Sequence, residues 1–177
     1  WALEPVARVI TGAAAGSPYA SDPLARASAT TLAALLYGPL VLATAGALLG
    51  AIARRVAGPR AGVAAMVAFL LSSQVGRITM YDVHPEAAYP ALLLLWAWAL
   101  GVGGGARTHW TPLLLAAALG MLVKEDAFLV FLPWFAWAAW DARTRRAGLA
   151  SLGVGLAAYG LQLAAVSGYA SGTLGPQ

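Results

Sequence analysis

Apolar residues fill this chain in long runs, separated by short polar breaks. No charged residue occurs from Thr31 to Ala53. Arg54, Arg55, Gly58-Pro59 and Arg60 then interrupt the pattern, and a second run extends from Ala61 to Gly76, ending through Ser72-Ser73-Gln74. A third covers Ala87 to Val102, before a loop with Gly103-Gly104-Gly105, Arg107 and His109. Thr111 to Trp140 is apolar except for Lys124-Glu125-Asp126 at its middle. Asp141 to Arg146 is polar, and a last run spans Ala147 to Val166. Runs near 20 apolar residues match a helix that crosses a bilayer. Pro39, preceded by Gly38, predicts a kink in the first span. Ahead of it, Leu3, Val6, Val9, Ile10 and Ala13 form a helical stripe broken by Glu4, Arg8 and Thr11. That segment is expected to lie on the membrane surface or pack on the bundle. Gly16 to Ser28, with Pro18, Asp22 and Pro23, reads as loop.

Composition strengthens the membrane reading. Hydrophobic residues make up 60% of the 177 and charged residues 10%, with a mean hydropathy of +0.73. Soluble domains carry about 25% charged residues. The expected fold class is therefore all-α, a polytopic transmembrane helical bundle with about six membrane segments. Its expected parts are an extracytoplasmic surface helix and loop (1–30), the bundle (31–168) and an extracytoplasmic tail (169–177). The net charge of +4 does not point to nucleic acid, because the arginines fall in short loops, as topology signals do. Without cysteine, disulfide and thiol chemistry are excluded. Ten arginines against one lysine, with abundant alanine and glycine, suggest a GC-rich prokaryotic source and hence its cell membrane. A start at Trp1 and an end at Gln177 suggest a piece of a longer protein.

Arginine placement also bears on 111–140. Two crossings there put Arg143, Arg145 and Arg146 on the side of Arg54, Arg55, Arg60 and Arg107, and one crossing separates them. Two crossings are expected. Helices of about 14 residues rise only about 21 Å against roughly 30 Å of hydrocarbon, so their turn would be recessed. A recessed turn requires protein or a water-filled cavity around its backbone.

Candidate chemistry is confined to two islands, Asp82-Val83-His84-Pro85-Glu86 and Lys124-Glu125-Asp126, which hold four of the seven acids. Ionisable groups in or beside apolar spans are expensive unless paired or hydrated, which makes them functional-site candidates. The first island can also be read as a helix start, with Pro85 in the first turn, Asp82 or His84 as cap and Glu86 against the positive helix end. Read for chemistry, Asp82, Glu86, Glu125 and Asp126 offer acid–base groups with His84 as partner. Arg77 and Lys124 offer cations for a carboxylate or a phosphate. The carboxylates could also hold a divalent cation, the candidate cofactor. An ion-pair network stapling two loops accounts for the second island equally well. Gln74 and Gln162 read as interhelical hydrogen-bonding residues, and His109 beside Trp110 as an interface residue. Trp96, Trp98, Trp134, Trp137 and Trp140 fit interfacial belts and packing.

The order of these pieces resembles the domain of unknown function 2079 family of predicted prokaryotic membrane proteins. The residues that carry the likeness are Asp82, His84, Pro85, Glu86 and Ala87, then Lys124, Glu125, Asp126 and Ala127. It covers about Thr31 to Val166 and implies the GT-C superfamily of polytopic glycosyltransferases. That implies helices around an extracytoplasmic cavity and sugar transfer from a polyprenyl-phosphate donor, with the lipid bilayer as the other partner. In GT-C enzymes the catalytic acid usually lies in the first extracytoplasmic loop. Here that segment has only Glu4 and Asp22 as acids, and its expected His-x-x-Pro region appears only as Leu3-Glu4-Pro5. Two other classes stay open, a transporter or channel and a non-catalytic membrane protein braced by ion pairs.

Overall fold

A computed structural model describes residues 23–72, 87–102, 104, 107–124 and 126–173. All regular structure among them is helical. The helices are α1 (Pro23–Ala57), α2 (Pro59–Leu70), α3 (Ala88–Leu100), α4 (Trp110–Leu122), α5 (Ala127–Trp140) and α6 (Arg145–Thr173). Among the described residues two segments are long and apolar enough to cross a membrane, Leu36–Ala57 of α1 and Arg145–Ser167 of α6.

One boundary differs from the sequence reading. Residues 23–28 belong to α1 and not to a loop. Pro23 opens the helix, where its missing N–H and fixed φ carry no penalty. The helix then runs on through Pro39, at the cost of the bond the Leu35 carbonyl would otherwise accept. The stretch from Thr111 to Trp140 is divided into two helices, Trp110–Leu122 and Ala127–Trp140, in keeping with the expectation of two segments there.

Contacts between helices fix their directions. A Cβ on Gly62 of α2 would meet the Gly50 carbonyl oxygen of α1 at 2.8 Å, and one on Gly46 would meet Leu70 at 3.2 Å. Positions nearest the connection therefore pair first, so α1 and α2 form an antiparallel hairpin. Small residues allow this close approach, and in lipid such packing replaces the hydrophobic drive between helices. Helix α3 ends on Gly101 at φ 91, where Val102 N–H bonds the Ala97 carbonyl and Gly101 N–H the Trp98 carbonyl. This left-handed cap, which glycine adopts without penalty, turns the chain back into α4. Phe128 packs on Tyr159 at 5.6 Å, Phe135 lies against Gly155, and Ala138 and Ala139 lie against Gly148. That progression makes α6 antiparallel to α5.

Large side chains seal the centre of α3–α6. Trp96, Leu113, Met121, Phe131 and Phe135 are all at most 1% exposed. Trp96 Nε1 donates to Ser151 Oγ at 2.9 Å, so the indole N–H is satisfied inside the core. Trp96 is therefore a packing residue and not part of a belt. Trp110 and Trp140, 47% and 87% exposed, suit that role better, at one end of the bundle. On the outside, Leu115, Leu119, Leu129, Leu161 and Val166 are exposed, as expected of helices facing lipid.

The same directions sort the polar residues. Arg55 at the end of α1 donates from Nη1 to the Trp98 carbonyl at 3.1 Å, with its guanidinium 4.9 Å from the Trp98 ring. His109, at the start of α4, stacks on that ring at 5.0 Å. Arg54, Arg55, Arg60, Arg107, Arg143, Arg145 and Arg146 thus all belong to one end of the bundle. The opposite end carries the starts of α1, α3 and α5 and the ends of α4 and α6.

Candidate functional site

The second charged island forms the turn between α4 and α5, at the end opposite the arginines. Ala127 N–H bonds the Lys124 carbonyl at 3.1 Å and Leu129 N–H bonds the Asp126 carbonyl at 3.0 Å, so the backbone closes the turn itself. Asp126 occupies the N-cap position of α5, yet its side chain makes no capping bond. An aspartate there ordinarily accepts from the first-turn N–H groups. Instead, Oδ1 of Asp126 accepts the Tyr89 hydroxyl at 2.7 Å. Tyr89 stands in the first turn of α3, and its ring meets Phe131 edge-on at 5.8 Å. The phenol is thus held by packing and presented to the carboxylate.

Tyr89 was not among the sequence candidates. Its signal was available, because a tyrosine in an oily helix needs a partner for its hydroxyl. The described partner of Asp126 is this phenol. Lys124 and Asp126 are both half-buried. Arg77, Asp82, His84, Glu86 and Glu125 lie outside the described residues. Immediately after the first island, Ala87 is buried and Tyr89 reaches Asp126, so the start of α3 and the α4–α5 turn share one end of the bundle.

The turn is also recessed. Helices α4 and α5, of 13 and 14 residues, rise about 20 Å each. Tyr159 is level with Phe128, and α6 continues 14 residues past it to Thr173, about 21 Å further. Helix α1, at 35 residues, rises about 52 Å. The turn therefore sits well below the tips of both long helices, which suits charged groups kept from the lipid tails.

The chain matches the family model described as dolichyl-phosphate-mannose-protein mannosyltransferase over residues 26–169. It belongs to that family. The match reaches into each of the six described helices, and it gives the bundle the character of a GT-C-type membrane fold of glycosyltransferase kind. No curated protein and no solved structure gives a significant match. Among the described residues no three or more His, Cys, Asp or Glu side chains gather.

Proposed function

We propose that this chain forms part of a multi-pass glycosyltransferase of a prokaryotic cell membrane, taking sugar from a polyprenyl-phosphate donor at the end opposite the arginines. That end is the extracytoplasmic one, since arginine-rich loops stay in the cytoplasm. The single observation that carries the reading is the Tyr89–Asp126 pair at the recessed turn of a mannosyltransferase-family bundle. An aspartate that gives up its own helix cap for a phenol on another helix is held for a purpose beyond ending a turn.

The reaction needs few groups. A base removes a proton from the acceptor hydroxyl, whose oxygen attacks the anomeric carbon. The bond from that carbon to the phosphate oxygen breaks, and polyprenyl phosphate leaves. Asp126 is a base candidate from the described turn, with Asp82, Glu86 and Glu125 as further carboxylates of the islands. Lys124 and Arg77 suit the phosphate, and His84 suits orientation of a carboxylate. The finer likeness to the domain of unknown function 2079 family rests on the two motifs and would make this pair of islands its signature.

Turnover of polyprenyl-phosphate mannose by the full-length protein in proteoliposomes tests the reading. Glu86→Gln and Glu125→Gln should each lower transfer by at least about 10²-fold if either acts as acid or base. Unchanged turnover in both would remove them from the mechanism.

A further inference from the structure

Helix α6 carries a second polar group toward the recessed end. Ser151, Gly155, Ala158 and Gln162 recur at spacings of four, three and four, which places them on one face of the helix. Ser151 meets Trp96 of α3, and Gly155 faces both Phe135 of α5 and Met121 of α4. That face therefore looks into the bundle between α4 and α5. Gln162 continues it by one turn beyond Ala158, toward the end where the α4–α5 turn lies. Its neighbour in register, Tyr159, packs on Phe128, two positions after Asp126. Gln162 is thus level with the turn.

Its side-chain oxygen has an unusual status. Oε1 of Gln162 is buried and has no hydrogen-bond partner. Among the described residues it is the one buried side-chain nitrogen or oxygen in that condition. A buried acceptor without a donor is destabilising, and such groups in native proteins call for an explanation such as a functional role or an unseen water. The sequence reading of Gln162 as an interhelical hydrogen-bonding residue does not hold for this atom. An amide oxygen only accepts, so its missing partner must be a donor. The phosphodiester anion of a lipid-linked sugar presents only acceptors and is excluded as that partner, whereas a hydroxyl fits.

We infer that Gln162 Oε1 accepts a hydroxyl of the donor's sugar ring. The inference rests on the sugar-transfer reading above and adds a specificity contact to it. It makes Gln162 the residue that distinguishes a sugar-bearing polyprenyl phosphate from the bare lipid phosphate. It also gives α6, which carries neither island, a part in the site.

The test uses the full-length protein in nanodiscs, with polyprenyl-phosphate mannose and bare polyprenyl phosphate as separate probes. Wild type should bind the sugar-bearing lipid more tightly. Gln162→Leu should weaken that binding about tenfold, within the range for one hydrogen bond lost in a buried site. Its affinity for the bare lipid should not change. Without ligand, Gln162→Leu should melt no lower than wild type, because an unsatisfied acceptor has been replaced by an apolar group of similar size. Gln162→Glu keeps an oxygen at the same reach and should retain most of the preference. Binding of both probes by Gln162→Leu as in wild type would overturn the inference, the oxygen then meeting water alone. Equal loss for both probes with a lower melting temperature would overturn it too, in favour of a structural role. A wild type that binds neither probe defeats the parent reading and this one together. A wild-type preference left intact in Gln162→Leu defeats only this one.

Discussion

Asparagine in place of Asp126 is expected to lower sugar transfer by about 10²–10⁴-fold while leaving the fold in place. The two effects separate because Asn keeps a carbonyl oxygen where Oδ1 accepts the Tyr89 hydroxyl, now at 2.7 Å. The tie between α3 and the α4–α5 turn therefore survives. What is lost is the capacity to take a proton. Tyr89→Phe makes the reverse change, removing the bond and keeping the acid. It should cost about 1.5–3 kcal/mol of stability, as for a hydrogen bond to a charged group, and lower transfer far less than Asp126→Asn. Turnover and thermal melting of the two variants, side by side, read the difference. Full activity in Asp126→Asn would make the pair a staple, and the base would have to be sought among Asp82, Glu86 and Glu125.

The largest effect on stability is expected at Gly148. A Cβ there would overlap the Ala139 nitrogen and the Ala138 carbonyl carbon and stand 2.7 Å from Ala139 Cα. All three are backbone atoms of α5, so no side-chain rotation relieves the collision. Gly148→Ala must push α6 away from α5. That strains the Trp96–Ser151 bond and the packing of Phe135 against Gly155. Overpacking of this kind costs about 1–3 kcal/mol or more, and in a chain of this size each kcal/mol moves the melting temperature by about 2–4 °C. Gly153 and Gly160, on the same helix, have open space where a Cβ would go. Alanine at either should be neutral or stabilising by up to about 1 kcal/mol. The contrast among three glycines of one helix, measured by melting in detergent, checks the α5–α6 packing. Equal tolerance at all three positions would contradict it.

Hydropathy alone made much of this fold legible. The apolar runs mark where helices lie. The distribution of seven arginines favoured two segments over one in 111–140. The start of α1 was missed because Pro23 ends a loop and opens a helix with equal ease. What hydropathy cannot encode is which faces meet. Trp96 has the same composition signal as Trp140, yet one is 1% exposed and the other 87%. Only the register of α3 against α6 sets that difference. The site follows the same rule. Asp126 stood out as a charge in an oily stretch, whereas its partner Tyr89 and the unpartnered Gln162 depend on distant helices arriving at one level.

That register has a direct readout, since the chain contains no cysteine and single cysteines can be placed at will. Val123→Cys marks the α4–α5 turn, and Arg143→Cys marks the exposed α5–α6 connection. In proteoliposomes of known orientation, a membrane-impermeant maleimide should reach the two positions from opposite sides. Polyprenyl-phosphate mannose should slow labelling at Val123→Cys and leave Arg143→Cys unaffected. Labelling of both from one side, or a rate at Val123→Cys indifferent to the donor, would contradict a lipid-linked sugar site at the recessed turn.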